Sequence, residues 1–169
     1  MICEKTILLV EDEPVISLVE SRILTRAGYK VTVVSSGEKA VEILRSSKHV
    51  DLILMDIDLG PGMAGTEAAE LILKEREIPI IFLSSHSEPA IVEKTEGITS
   101  YGYVLKNSGD TVLLASIRMA FKLYEEKMKV QKHKEEHESI NEELTAAFEE
   151  LEAANEELIE TQQEILNSE

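Results

Sequence analysis

The stretch "ILMDIDLGPGMAG", from Ile53 to Gly65, decides the fold of this chain. Its opening apolar run is typical of a strand that is buried on both faces of a sheet. Asp56 follows that run directly, although charged side chains are rarely buried unless another group pairs or coordinates them. The stretch therefore predicts a core β-strand with a functional carboxylate at its carboxyl end.

Five apolar runs of this kind punctuate the first part of the chain, and helical periodicity fills the segments between them. The runs are TILLV (6–10), KVTVV (30–34), LILM (52–55), IPIIFL (78–83) and YGYVL (101–105). Strands that alternate with helices predict a parallel sheet covered on both sides. The predicted fold is α/β, with a five-stranded, doubly wound sheet in the flavodoxin-like order 2-1-3-4-5.

The helices have recognisable beginnings and apolar faces. In the first, from Pro14 to Ala27, the stripe predicted to face the sheet is Ile16, Val19, Ile23 and Leu24. Ser36 is the predicted N-cap of the second helix, "GEKAVEILRS". The segments "TEAAELILKER" and "EPAIVEKTE" predict two more.

Length and composition predict one globular domain with its own core, since the chain has 169 residues and 43% of them are hydrophobic. A single cysteine, Cys3, does not provide a disulfide framework and fits a reducing compartment. The apolar stretches are too short for a membrane span or a signal peptide. A cytoplasmic location without membrane contact is expected.

The net charge of −16 is unevenly distributed. Residues 1–121 carry 12 Lys/Arg and 18 Asp/Glu, whereas residues 122–169 carry 5 and 15, with 13 glutamates and no Lys or Arg from Glu135 onward. Such a tail repels a phosphate backbone, so direct nucleic-acid binding is not expected. The shift predicts a compact domain at 1–122 and a helical extension at 123–169, continuous with the last helix of the domain.

The extension has a seven-residue repeat, and no Gly or Pro occurs from Thr111 to Glu169. One seam position holds Leu144, Leu151, Leu158 and Ile165, and the other holds Ile140, Ala147, Ala154 and Thr161. Steps of four and three residues predict a left-handed coiled coil and hence a homodimer. A single exposed helix is the alternative. His133 and His137 interrupt the seam and are interpreted as a solvated face.

Polar side chains follow the carboxyl ends of four predicted strands. Glu11 and Asp12 follow the first and Asp56 the third, while Ser84 and Lys106 follow the fourth and fifth. In the order 2-1-3-4-5 the three carboxylates converge where the strand order reverses. Clustered carboxylate oxygens suit Mg²⁺. An aspartate beside Mg²⁺, a hydroxyl and an ammonium is equipped to accept a phosphoryl group as a nucleophile.

This arrangement resembles the receiver domain of two-component response regulators over residues 5 to about 122. The motifs that carry the resemblance are ILLVEDE (7–13), LILMDIDLGPGMAG (52–65), IPIIFLSSHS (78–87) and YGYVLKN (101–107). The resemblance implies that Asp56 is the phospho-acceptor. Glu11 and Asp12 are then the acids on the metal side, and Asp58 lends its backbone carbonyl to the metal.

The resemblance also implies residues that switch conformation and residues that tune the rate of dephosphorylation. Ser84 stands at the position of the switch hydroxyl, Tyr103 at that of the switch aromatic, and Lys106 at that of the family's lysine. Asp58 and His86 occupy the positions that tune dephosphorylation. One departure is Asn107, where the family usually has proline after the lysine; a trans or strained bond is expected there.

The expected function is a signalling receiver that takes phosphate from a histidine kinase or phosphotransfer protein and signals through its extension, rather than an enzyme. Two alternatives remain open. "DIDLG" also resembles the Asp-x-Asp motif of haloacid-dehalogenase-type phosphatases, although that motif normally follows the first strand. The other alternative is a dimerisation scaffold that does not use phosphorylation.

The last residues, "ELIETQQEILNSE", resemble the helical linker that precedes a PAS sensor domain in hybrid histidine kinases. The expectation is an N-terminal part of a larger signalling protein, with sensor and kinase domains beyond it. A stand-alone regulator whose coiled coil is the output is the alternative.

Overall fold

The fold is described by a computed structural model for residues 4–46, 49–85, 89–98 and 101–167. Five strands alternate with five helices. The strands are β1 (Thr6–Val10), β2 (Lys30–Val34), β3 (Leu52–Asp56), β4 (Ile80–Ser84) and β5 (Tyr103–Leu105). The helices are α1 (Pro14–Arg26), α2 (Gly37–Arg45), α3 (Gly65–Glu75), α4 (Pro89–Ile98) and α5 (Asp110–Asn167).

The strands form one parallel sheet in the order β2-β1-β3-β4-β5, which confirms the predicted topology. Strand ends differ from the prediction by one or two residues. Asp56 is the last residue of β3 itself, and β5 begins at Tyr103 rather than at Tyr101. Ser36 caps α2 as predicted, since its Oγ accepts a hydrogen bond from the Lys39 amide at 3.3 Å.

Two apolar cores lie on opposite faces of the sheet, because alternate residues of each strand point to opposite sides. On one face, the strands pack against α2 and α3, through residues such as Val41 and Ile72. On the other face they pack against α1 and α5, through Leu24 and Ile117. All five residues of β1, β3 and β4 are buried, which is the pattern of a sheet covered on both sides.

The predicted apolar stripe of α1 is wrong at one position. Val19 is 53% exposed, whereas the neighbouring Glu20 is only 8% exposed. Leu24 is buried as predicted. Glu20 precedes Leu24 by about one turn and shares its face, whereas Val19 lies about 100° away around the axis, so the orientation of α1 buries Glu20 and not Val19.

The chain divides into two compact units, Met1–Glu125 and Glu126–Glu169. The second unit is helical through Asn167, and most of its large apolar side chains are exposed, among them Val130, Ile140, Leu144, Leu151, Leu158 and Ile165. Among the described residues, no helix combines the length and apolar character needed to cross a bilayer. The predicted boundary between residues 122 and 123 remains a prediction.

Candidate functional site

Three carboxylates meet at the carboxyl edge of the sheet. Val10, the last residue of β1, pairs with Met55 of β3. Glu11, which follows β1, therefore lies beside Asp56, which ends β3. Glu11 and Asp56 are each 2% exposed, and Asp12 is half-buried. One oxygen from each of the three carboxylates lies within 4.8 Å of the other two. The sequence-predicted acids are therefore brought together.

Lys106 joins this cluster from the end of β5. Its Nζ donates to Glu11 Oε2 at 2.6 Å and to Asp56 Oδ2 at 2.7 Å. Burial by itself lowers the pKa of an ammonium, but these two carboxylates outweigh it and the pKa of Lys106 is raised. The side chain is therefore a permanent positive charge beside the acids.

The cluster is still short of positive charge. Burial raises the pKa of Glu11, and although Lys106 opposes this effect, the nearby charge of Asp56 adds to it, so that the net shift is upward. Of the three clustered acids, Glu11 and Asp56 share the Lys106 ammonium, and Asp12 adds a further negative charge. A bound cation would relieve this imbalance, and clustered carboxylate oxygens are the donors that Mg²⁺ prefers. The residues present therefore fit a magnesium ion.

The loop after β3 is tied to the acids through its backbone. The Asp58 amide donates to Asp56 Oδ1 and the Gly60 amide donates to Asp12 Oδ2, both at 3.0 Å. These bonds fix the orientation of two carboxylates. They were not predicted from the sequence, because backbone donors carry no side-chain signature.

Gly65 allows α3 to begin against the end of β3. A Cβ added at Gly65 would lie 1.8 Å from the carbonyl oxygen of Asp56, a distance that no side chain can occupy. The sequence signal is the second glycine of "GMAG", whose importance appears only when the two segments are brought together.

Of the remaining predicted residues, two lie in β4 and β5, and one lies outside the described residues. Ser84 ends β4 and is fully buried, and its carbonyl accepts the Lys106 amide at 2.9 Å. Tyr103 begins β5 and packs, partly buried, against the core that contains α2 and α3. His86 lies outside the described residues. The Lys106–Asn107 bond is trans, since the structure has no cis peptide among its described residues.

Glu20 was missed by sequence reasoning. It is buried on α1, and burial, followed by the charge of Glu11, raises its pKa to about 7. No motif marked it, because a glutamate within an amphipathic helix is usually solvated.

Sequence and structure comparisons place this geometry among known proteins. The model of the response regulator receiver domain matches residues 7–118. The transcriptional regulatory protein YrkP of Bacillus subtilis is 34% identical over 120 residues, which is 70% of this chain and 50% of YrkP. The response regulator ARR12 of Arabidopsis thaliana is 36% identical over 97 residues, or 57% of this chain and 16% of ARR12. The chain thus spans half or less of these relatives.

Two solved structures share the fold. One is the N-terminal domain of a response regulator/sensory box/GGDEF three-domain protein from Carboxydothermus hydrogenoformans, with 44% identity and a TM-score of 0.69, covering 73% of this chain and 99% of that one. The other is a CheY-like receiver domain protein from Methanospirillum hungatei, with 25% identity and a TM-score of 0.68, covering 73% and 98%. The family match, the strand order and these likenesses agree, and the chain belongs to the receiver domain family of two-component response regulators.

Proposed function

We propose that this receiver accepts a phosphoryl group on Asp56 from a phosphohistidine donor, a histidine kinase or phosphotransfer protein. One observation carries the proposal: Asp56 is a buried carboxylate whose Oδ2 lies 2.7 Å from the Lys106 ammonium, beside two further acids. Membership of the receiver family supports the same role.

The transfer is a displacement at phosphorus. A carboxylate oxygen of Asp56 forms the new P–O bond while the bond between phosphorus and the donor imidazole nitrogen breaks. The electron pair of that bond returns to the imidazole, whose nitrogen takes up a proton. The product is an acyl phosphate, and Lys106 is placed to neutralise charge on the phosphoryl oxygens. The Asp58 amide holds the attacking carboxylate in place.

Glu11, Asp12 and Asp56 are the residues that would hold Mg²⁺, with the backbone carbonyl of Asp58 as a further ligand. The ion supplies positive charge that offsets the acids and the incoming phosphoryl oxygens. Support comes from the three convergent oxygens and from the raised pKa of Glu11. Ser84 and Tyr103 are proposed as the switch pair, and Asp58 and His86 as the residues that set the lifetime of the phosphoryl group.

Mass spectrometry of the intact chain after treatment with acetyl phosphate and Mg²⁺ tests this assignment. Wild type is expected to gain one phosphoryl group, and Asp56→Asn none. Asp110→Asn is the matched control, since Asp110 is exposed at the start of α5, and it should behave as wild type. A phosphoryl group on Asp56→Asn would refute the proposal. Release of many phosphates per chain would identify a phosphatase instead.

The helical extension is proposed to form a coiled-coil homodimer. Leu144, Leu151 and Leu158 repeat along one stripe and are each more than half exposed. Exposed leucines at heptad spacing are stabilised by a partner helix that covers them.

The charges beside this stripe favour parallel helices. With Leu144 at position a, every g position from Glu136 to Glu164 is a glutamate, and the e positions are Asn141, Phe148, Asn155 and Gln162. Parallel helices pair g with e of the partner, so each glutamate faces an uncharged residue. Antiparallel helices pair g with g and oppose glutamates along the whole seam. We therefore infer a parallel dimer.

Sedimentation of seam variants tests the dimer. Leu151→Glu places a charge in the seam and should yield monomers, whereas Gln163→Glu adds the same charge outside it and should remain dimeric. A wild-type monomer at micromolar concentration would refute the proposal.

Disulfide trapping tests the orientation, with Cys3→Ser as the background. Leu144→Cys and Leu158→Cys, made separately, should both cross-link in a parallel dimer, because each meets its own copy. In an antiparallel dimer at most one of the two positions can do so.

The extension is also proposed to carry the signal to a sensor module. The Carboxydothermus relative is a response regulator/sensory box/GGDEF three-domain protein, and the terminal residues of this chain resemble a linker that precedes a sensor domain. Hydrogen exchange in residues 126–167 should change when beryllofluoride, a phosphoryl mimic, is bound. Unchanged exchange and an unchanged dimer equilibrium would refute transmission.

A further inference from the structure

A cavity of about 280 Å³ lies between α1 and the segment from β5 to the start of α5. Its walls are mainly apolar and include Ile16, Val19, Ile23 and Leu113. Glu20 and Lys106 also line it, so that the cavity adjoins the acid cluster without being part of it. Nothing in the proposed phosphoryl transfer uses this space.

Glu20 is the unusual member of the lining. Its side chain is 8% exposed, and Oε2 has no hydrogen-bond partner among the described residues. An unpaired buried acceptor carries a desolvation cost that a bound donor would remove. The cavity therefore contains one buried hydrogen-bond acceptor without a partner among the described residues, surrounded by a mainly apolar surface.

The local charges favour a positively charged donor. Lys106, the lysine of the lining, donates to Glu11 and Asp56 at 2.6 and 2.7 Å and so is committed to the acid cluster. Asp110, a further member of the lining, adds negative charge. Glu20, Glu11, Asp56 and Asp110 thus outnumber the single ammonium. These carboxylates would repel an anionic ligand, and a neutral ligand would leave the excess negative charge uncompensated.

We propose that this cavity binds a small organic cation, an ammonium head on a short apolar or aromatic body, with the head on Glu20 and the body against Val19, Ile23 and Leu113. The volume supports this class, since an apolar cavity of roughly 150 Å³ holds a benzene ring and this one is about 280 Å³. A ring with a two-carbon amine chain fits that space. The proposal is independent of phosphorylation at Asp56.

The test is calorimetric titration at pH 8 with phenethylammonium, and with phenethyl alcohol and phenylacetate as probes of matched shape. Wild type is expected to bind the ammonium at least about tenfold more tightly than the alcohol, because a charge-assisted hydrogen bond to a carboxylate is the stronger one. Phenylacetate should bind least. In Glu20→Gln the preference for the ammonium over the alcohol should disappear, while Glu70→Gln, an exposed change on α3, should retain it.

Methyl NMR locates the bound probe and separates this cavity from the acid cluster. The largest shifts are expected at Val19, Ile23 and Leu113, and smaller ones at Ile57 and Leu59, which lie in the loop after Asp56. Equal affinity for ammonium and alcohol, or a preference that persists in Glu20→Gln, would overturn the proposal. So would the absence of binding, or shifts centred on Ile57 and Leu59.

Discussion

Carboxylates are abundant in two regions of this molecule, the strand-end cluster and the helical extension, but only the cluster buries them. Glu11 and Asp56 are 2% exposed and share one ammonium. In the extension, glutamates such as Glu126 remain solvated. Glu126 forms an ion pair with Lys129, and both side chains are at least 60% exposed. Charge density therefore does not mark the functional region.

The difference lies in how far water screens each charge. Buried charges interact strongly and must be compensated by neighbours, whereas exposed pairs contribute little to stability. In the cluster, the acids accordingly accept hydrogen bonds from backbone amides and from the Lys106 ammonium, and their oxygens fit one further cation. In the extension, by the proposal above, the charged side chains keep the seam in solution and set the orientation of the partner helix.

The largest effect on stability is expected when a lysine of the cluster is replaced by methionine, and the same replacement in the extension is its control. Lys106→Met removes the only ammonium that contacts the buried acids within the described chain, and should lower the free energy of unfolding by about 3–5 kcal/mol. Lys129→Met removes an exposed partner and should leave the unfolding midpoint unchanged. Urea denaturation of both variants measures the contrast, and equal losses would contradict it.

Magnesium should restore part of the loss in Lys106→Met, since a ligand that binds only the folded state stabilises it by mass action. Lys129→Met keeps the acids and their ammonium, so magnesium should stabilise it by the same amount as wild type and by less than it stabilises Lys106→Met. The measurement is the same denaturation series with and without the ion.

A smaller effect is expected from Gly65→Ala, which tests whether the cluster depends on a close backbone approach. The new Cβ would collide with the carbonyl of Asp56, and a loss of about 3 kcal/mol in the free energy of unfolding is expected. Gly97→Ala is the matched control, because a Cβ there has no neighbour within 4 Å and alanine favours the helix α4. It should be neutral or slightly stabilising, and a comparable loss in both variants would refute the explanation.

The smallest effect is expected from Glu20→Gln, and it depends on pH. The pKa of Glu20 is raised to about 7 from an ordinary value near 4.5. The folded state therefore binds this proton more tightly than the unfolded state, and the stabilisation is lost as pH rises through about 7. Relative to the variant, wild type should lose about 2–3 kcal/mol of stability between pH 4 and pH 8. Parallel pH profiles for the two proteins would show that Glu20 does not titrate in this way.

Much of the cluster was predictable, because it depends on the positions of strand ends. Once the apolar runs are ordered as a doubly wound sheet, Glu11, Asp56 and Lys106 must lie at one edge. The strand order was confirmed, and the structure places the Lys106 ammonium against Glu11 and Asp56. The bounds were less accurate, as at Tyr101, because the end of a strand depends on which backbone groups find partners across the sheet.

Other features of the site escaped prediction because they depend on tertiary contact. The predicted stripe on α1 included Val19, and the structure buries Glu20 instead. Periodicity predicts that a helix has an apolar face, but the rotation of that helix is set by the surface it packs against. The same holds for Gly65, whose close approach to Asp56 arises between distant segments.

The sequence by itself determined the α/β class, the order of the elements and the residues that end the strands, since each of these follows from local periodicity and chain order. It also determined the heptad seam, whose spacing is a property of one helix. Only the tertiary structure decided how the acids share their ammonium, which backbone amides hold them and which face of α1 is buried. Those features depend on distances between segments that are far apart in the chain, and such distances exist only once the sheet and helices have packed.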